Sequence, residues 1–264
     1  MTRRIISWIA IAATAAPFAF LILGAMSDSE SIARLDFSQA SLSNLNANLE
    51  GIADAGILQA MTNTLAICIP MVLLQCASSV LAAYAFAFFD FKRKRLLYTL
   101  IIGSYLIPAV ATLLPLYFVM TAAGLKGSPA GILLPFALYS PYAVALLRER
   151  FEAVPREILD QARIDGLGSW SLLIRVVLPI SKSFVTLLAV ITFISTWNAY
   201  LWPRLIAGTE WPTITVAIAG LQSQYDSHWN LVLSAALLAV IPALIAFALS
   251  RRNLVRNPLA EIEI

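Results

Sequence analysis

Six long apolar stretches alternate with polar connections, at about 5–26, 57–89, 96–123, 129–147, 184–206 and 229–249. Each holds the roughly 20 residues that a helix needs to cross about 30 Å of hydrocarbon. The second and third are longer and predict helices that tilt or run past the bilayer. The first follows Arg3 and Arg4, as a signal peptide would. Its apolar run exceeds the roughly 7–15 residues of a signal core, so it is read as a retained anchor. No polar stretch exceeds about 35 residues, well short of a separate soluble domain. The pattern therefore predicts an all-α membrane protein, with six transmembrane helices in a single domain over residues 1–264.

Basic residues then set an orientation, because lysine and arginine accumulate in cytoplasmic loops. Arg3 and Arg4 precede the first stretch, and Lys92, Arg93, Lys94 and Arg95 follow the second. Arg148, Arg150, Arg156, Arg163, Arg175 and Lys182 surround the connection after the fourth, and Arg251, Arg252 and Arg256 follow the sixth. The alternate connections hold only Arg34, Lys126 and Arg204 of the 18 basic residues. Both termini and the second and fourth connections are thus expected in the cytoplasm, with Lys92–Arg95 against anionic lipid headgroups. The opposite loop, 27–56, carries Asp28, Glu30, Asp36, Glu50 and Asp54 against one arginine. It predicts a partly ordered extracytoplasmic lobe without a core of its own.

Composition agrees with an apolar solvent. Hydrophobic residues make up 60% of the chain and charged residues 12%, against about 25% charged in soluble domains. The net charge of +3 is laid out as a topology signal, so nucleic acid is not expected as a partner. Cys68 and Cys76 would sit about 12 Å apart along one helix, beyond disulfide reach. His228 is the one histidine, which excludes a histidine metal cluster within the chain. It is read as interfacial rather than as a proton relay.

The connection over 150–180 is the most informative segment. Pro155 suits a first helical position, Gly166 and Gly168 suit a helix stop, and Ser169 suits the N-cap of a second helix. Pro179 ends or kinks that second helix. At 100° per residue the first helix places Ile158, Ala162 and Asp165 on one face and Arg156, Asp160 and Arg163 on another. A short helix with a small-residue face, hung between two spans, is expected to dock a protein.

This segment resembles the coupling loop of ABC importer permeases, whose pattern is Glu-Ala-Ala, three residues, Gly, nine residues, Ile-x-Leu-Pro. Asp160-Gln161-Ala162 stands at Glu-Ala-Ala, Gly166 follows after three residues, Val176 takes the Ile position, and Leu178-Pro179 match. Asp165-Gly166 is similar to the carbohydrate branch. The departures are Asp160, which keeps the charge with a shorter reach, and Gln161. Trp197-Asn-Ala-Tyr-Leu-Trp-Pro203 resembles a segment of maltose-type and glycerol-phosphate-type permeases. The tail Asn257-Pro-Leu-Ala-Glu-Ile-Glu-Ile264 departs from their glycine- and lysine-rich end.

The resemblance implies a type I ABC importer permease fold in the bacterial inner membrane. It implies three partners: an ATPase dimer, a second and non-identical permease, and an extracytoplasmic binding protein that delivers a sugar or sugar-like solute. It places ATPase docking at Glu157, Asp160, Ala162, Asp165, Gly166, Leu178 and Pro179. The chain has no Gly-x-x-x-x-Gly-Lys-Ser/Thr, so it is read as non-catalytic, with ATP and Mg held by the ATPase.

Pathway residues are less determined by sequence. Asn198 is read either as a solute contact or as a hydrogen bond between helices. Trp197, Tyr200 and Trp202 suit an interfacial aromatic belt or sugar stacking. Asn63, Gln75, Ser78, Ser79, Tyr117 and Thr121 line a pathway or glue helices together. Pro17, Pro70, Pro108, Pro115, Pro135 and Pro242 predict kinks. The alternatives are a permease for an amino acid, glycerol phosphate or metal, or an ion-coupled transporter. The last would need charges at mid-membrane, and the six stretches hold almost none.

Overall fold

The structure, a computed structural model, describes residues 2–222 and 228–255. Its regular elements are helices. The first, α1 (Thr2–Ala25), is a single long apolar helix. It packs along the last helix of the chain and turns Trp8, Ile9 and Phe18 outward.

Two shorter helices follow, α2 (Ser29–Ala33) and α3 (Leu42–Asp54). Asp28 caps α2 by accepting the Ser31 N–H at 2.8 Å, and this bond holds its carboxyl below the usual carboxylate range. Ser41 caps α3 in the same way, accepting the Asn44 N–H at 3.2 Å. The lobe borrows its core, as expected. Ile52 packs with Ile57, Cys68, Trp197, Ile214 and Ala235. Asn48 is buried and donates to the carbonyls of Ala25 (2.9 Å) and Ser27 (3.0 Å). Asn230 donates to the Asn48 side chain at 2.6 Å. A buried amide with both ends satisfied fixes the lobe against the bundle.

The long helix α4 (Ile57–Phe88) is the central rod. Cys68 is buried in it and Cys76 partly buried, both as free thiols. The third apolar stretch is not one helix. It divides into α5 (Lys94–Ser104) and α6 (Ala109–Ala122), which meet at 97°. Ile107 precedes Pro108, and the proline ring disfavours helical backbone at the residue before it. The fourth stretch divides as well, into α7 (Pro129–Leu133) and α8 (Pro141–Glu152), of 5 and 12 residues. Ser140 is extended (φ −148°) ahead of Pro141, which opens α8.

Beyond α8 come α9 (Arg156–Ile164) and α10 (Ser169–Ile180), whose middle turn Leu173–Val177 is a π-turn. That wider turn ends two residues before Pro179, whose ring crowds the carbonyl four residues back, inside the turn. Both predicted starts move by one residue: Pro155 is the N-cap of α9, and Gly168 rather than Ser169 is the N-cap of α10. Gly168 takes the extended backbone of a cap, and the Ser169 carbonyl instead accepts the Tyr84 hydroxyl at 2.8 Å. At 80° to α10 runs α11 (Lys182–Trp197). The fifth stretch stops there, because Asn198 folds its amide back onto the Ile194 carbonyl at 2.8 Å. Short helices α12 (Leu201–Ile206) and α13 (Ile214–Gly220) lead to α14 (Trp229–Val255), the partner of α1.

Among the described residues, three helices are long and apolar enough to cross a membrane alone, and two bent pairs raise that to five. The fourth predicted stretch is the one that helix length does not carry. Pro17, Pro70, Pro115 and Pro242 lie inside unbroken helices, whereas Pro108 and Pro135 lie at breaks.

Candidate functional site: a seated loop helix and a half-open cavity

The α9 helix is anchored by its own chain before any partner arrives. Leu159 and Ala162 are buried in a cluster with Tyr84, Leu147, Phe151 and Val177. These residues come from α4, α8 and α10, and Leu188 of α11 joins them. The stems of the loop are tied as well. Arg150 is buried, donates to the Ile180 carbonyl at 2.9 Å, and lies 5.3 Å from the Phe184 ring centre.

Gly166 terminates α9 with φ +83°. The Leu167 N–H reaches back to the Ala162 carbonyl and the Gly166 N–H to the Arg163 carbonyl, both at 3.0 Å. That pair of bonds is a Schellman stop, which requires left-handed backbone at the glycine. A Cβ built there meets no atom within 4 Å. The glycine therefore serves a backbone conformation and leaves open space beside it.

The expected docking residues separate in space. Glu157, Ile158, Gln161 and Asp165 form a concave patch with Val176 of α10. Ala162 borders that patch but is mostly spent on the seat. Asp160 pairs with Arg163 at 3.0 Å, both exposed, and such a pair contributes no more than about 1 kcal/mol. With Glu152 and Arg156 it borders a second, polar hollow beside Phe88. Leu178 packs on the cluster, and Pro179 is exposed.

A half-open cavity of about 300 Å³ lies where the broken helices meet. Tyr105 comes from the α5–α6 break, Phe136 and Ser140 from the α7–α8 break, and Ala199 from the α11–α12 break. Non-helical backbone at membrane depth survives only where protein or a water-filled cavity satisfies it. Gln75 of α4 performs that role, donating to the Phe136 carbonyl at 2.8 Å and accepting the Thr192 hydroxyl at 3.2 Å.

None of the four expected pathway residues lines this cavity. Trp197 is buried, stacks on Phe193 and donates its indole N–H to the Ala239 carbonyl at 3.0 Å. Asn198 caps its own helix, and Tyr200 is exposed at the start of α12. Tyr117 lies under the Lys126 ammonium, 5.7 Å from its ring centre. Of the polar residues weighed from sequence, Gln75 lines the cavity. Ser140, Thr192 and Thr196 line it too, and the available signal was the serine before Pro141 and the hydroxyls of the span ahead of Asn198.

Long apolar helices, bent helix pairs that meet at a half-open cavity, and a short helix seated on the packed bundle are the architecture of a multi-span membrane protein. The chain belongs to the family of binding-protein-dependent transport system inner membrane components, which residues 77–257 match. It is 28% identical over 250 residues to the lactose transport system permease protein LacG of Rhizobium radiobacter, covering 94% of this chain and 90% of that one. It is 36% identical over 184 residues to the sn-glycerol-3-phosphate transport system permease protein UgpE of Yersinia pestis. That match covers 68% of this chain and 64% of that relative's length. The UgpE of Rhizobium meliloti is 31% identical over 218 residues, 81% of this chain and 76% of that one. A crystal structure of a bacterial ABC transporter involved in import of the acidic polysaccharide alginate superposes with a TM-score of 0.79. It shares 18% identity over 95% of this chain and 94% of that one, and so shares the fold.

Proposed function

We propose that this chain is the permease subunit of an ATP-driven importer and forms half of the membrane pathway for a sugar or sugar-like solute. In this reading α7 and α8 together make the sixth crossing. Both termini and α9 face the cytoplasm. An ATPase dimer docks on the patch of Glu157, Ile158, Gln161 and Asp165, with Asp160, Ala162, Gly166, Leu178 and Pro179 shaping its edges and seat. ATP and Mg stay with the ATPase. A second, non-identical permease completes the pathway, and an extracytoplasmic binding protein supplies the solute.

The observation that carries the reading is the seat of α9. Leu159 and Ala162 share one packed cluster with α4, α8, α10 and α11. Packed side chains transmit displacement rather than absorb it. A partner that binds α9 differently in two states therefore biases the arrangement of those helices. The second reading is the same machine for another solute class, and the relatives named for glycerol 3-phosphate keep it open.

The test is labelling of thiols introduced at Glu157 and Gln161 in a variant lacking Cys68 and Cys76. Labelling from the cytoplasmic side, blocked by added ATPase subunit, is expected. Labelling from the outer side alone would overturn the docking assignment.

A further inference from the structure

A second hollow, separate from the cavity at the helix breaks, is an open groove where α4, α11 and α14 pack together. Its volume is about 380 Å³. Ala189 and Ala246 line it as small, half-buried side chains, while Ile69, Leu73 and Leu249 stand exposed beside them. The groove and the cavity use different faces of α11. Ala189, Val190 and Phe193 face the groove, and Thr192, Ser195 and Thr196 line the cavity.

The groove is apolar along its length and polar at one end. There Asn253 of α14 donates to the Thr186 hydroxyl of α11 at 3.3 Å. From that pair, Thr186 to Phe193 and Asn253 to Ala246 each measure about 10 Å of helix axis. Half of a hydrocarbon layer about 30 Å thick is about 15 Å, so the groove follows much of one leaflet.

Charge sits at the same end. The helices α4, α11 and α14 contain no Asp or Glu, and their only charged residues are Lys182, Arg251 and Arg252. Lys182 opens α11 one turn before Thr186, on the face that carries the groove, and is exposed. Arg251 is exposed two residues before Asn253. A greasy slot that ends in a polar pair and then in cations matches one molecule of the surrounding solvent: a lipid with a slender chain and an anionic headgroup. A neighbouring protein span would need small residues at the contact surface for close approach, whereas the small residues here lie between Ile69, Leu73 and Leu249.

We propose that this groove holds one acyl chain of an anionic phospholipid, with the headgroup phosphate against Lys182 and the Thr186–Asn253 pair. The inference goes beyond the importer reading and requires only that the chain lies in a bilayer. It gives α11 a lipid on one face and the cavity on another.

The experiment uses the membrane complex that contains this chain, in phosphatidylcholine nanodiscs doped with phosphatidylglycerol that carries a photoreactive diazirine on one acyl chain. Adducts are mapped by mass spectrometry. Labelling concentrated on 186–193 and 246–253 is expected, above that of the outward face of α1 at Trp8 and Ile9, which reports ordinary lipid contact. Lys182→Gln should lower groove labelling about fivefold and leave α1 labelling unchanged, which also shows that the variant is inserted. Ala246→Phe fills the groove and should abolish its labelling in the same background.

Groove labelling no stronger than that of α1 overturns the inference. So does equal labelling by a matched phosphatidylcholine probe, or undiminished labelling in Lys182→Gln. A groove that is labelled in the chain alone but protected in the complex belongs to a neighbouring subunit, which also overturns it.

Discussion

Gln75 donates its side-chain N–H to the carbonyl oxygen of Phe136 at 2.8 Å, across 61 residues of chain. Phe136 lies in the turn between α7 and α8, where the same carbonyl also accepts the Tyr139 N–H at 3.1 Å. One amide thus stabilises the unwinding of a neighbouring span. Gln75→Leu removes the donor and also strands the Thr192 hydroxyl. The expected loss is about 1–3 kcal/mol, toward the lower end if the membrane-embedded reference finds other partners. Thermal unfolding in detergent should show a lower Tm, together with slower solute uptake. An unchanged Tm and uptake would mean that the Tyr139 N–H alone suffices for the Phe136 carbonyl.

Gly166→Val places a β-branched residue at φ +83°. Left-handed backbone costs a non-glycine residue about 1–2 kcal/mol, and more when branched at Cβ. A Cβ at this position meets no atom within 4 Å, so the protein should still reach the membrane. The damage falls on the end of α9 and on the open space beside it. ATP hydrolysis by the assembled importer should no longer drive uptake, and Gly166→Asn, which tolerates this backbone better, should retain part of it. Full uptake by the valine variant would argue against docking at this helix end.

Arg150→Met keeps the bulk of the side chain but removes its hydrogen bond to the Ile180 carbonyl and its contact with Phe184. Replacing a buried charge with an apolar side chain is often neutral for stability. Expression and Tm should therefore stay near wild type while coupling of ATP hydrolysis to uptake falls, because the two stems of the loop are no longer tied. Equal coupling in variant and wild type would show that the Leu159 and Ala162 seat suffices alone.

Asn48→Ala removes two donors, to Ala25 and Ser27, and one acceptor for Asn230. The lobe of α2 and α3 should loosen by about 1–3 kcal/mol. Limited proteolysis is expected to cut the variant between residues 34 and 41 faster than wild type. Identical cleavage rates would place the lobe's stability in Ile52 instead.

Much of this architecture was legible in the chain. Hydropathy gave the helical class, charge placement gave a loop pattern, and the Gly166 stop followed from residue type. The breaks were less legible, because an average over about 19 residues is blind to a bend that leaves composition unchanged. Proline alone does not mark them either. Pro70 sits inside α4 and Pro115 inside α6, while Pro108 separates α5 from α6. The buried edge of α9 was ambiguous for another reason. Ile158, Leu159, Ala162 and Ile164 spread around the helix, and tertiary packing chose Leu159 and Ala162. For Trp197, sequence shows an indole but not the Ala239 carbonyl that it finds.

Because α9 is held from beneath by Leu159 and Ala162, the residues proposed to meet an ATPase and those that fasten the helix to its own bundle overlap only at Ala162. Evolution can rewrite one without disturbing the other. A permease of this build could be matched to a foreign ATPase by exchanging Glu157, Ile158 and Gln161 alone. Transplanting the whole helix would drag a mismatched root into the bundle.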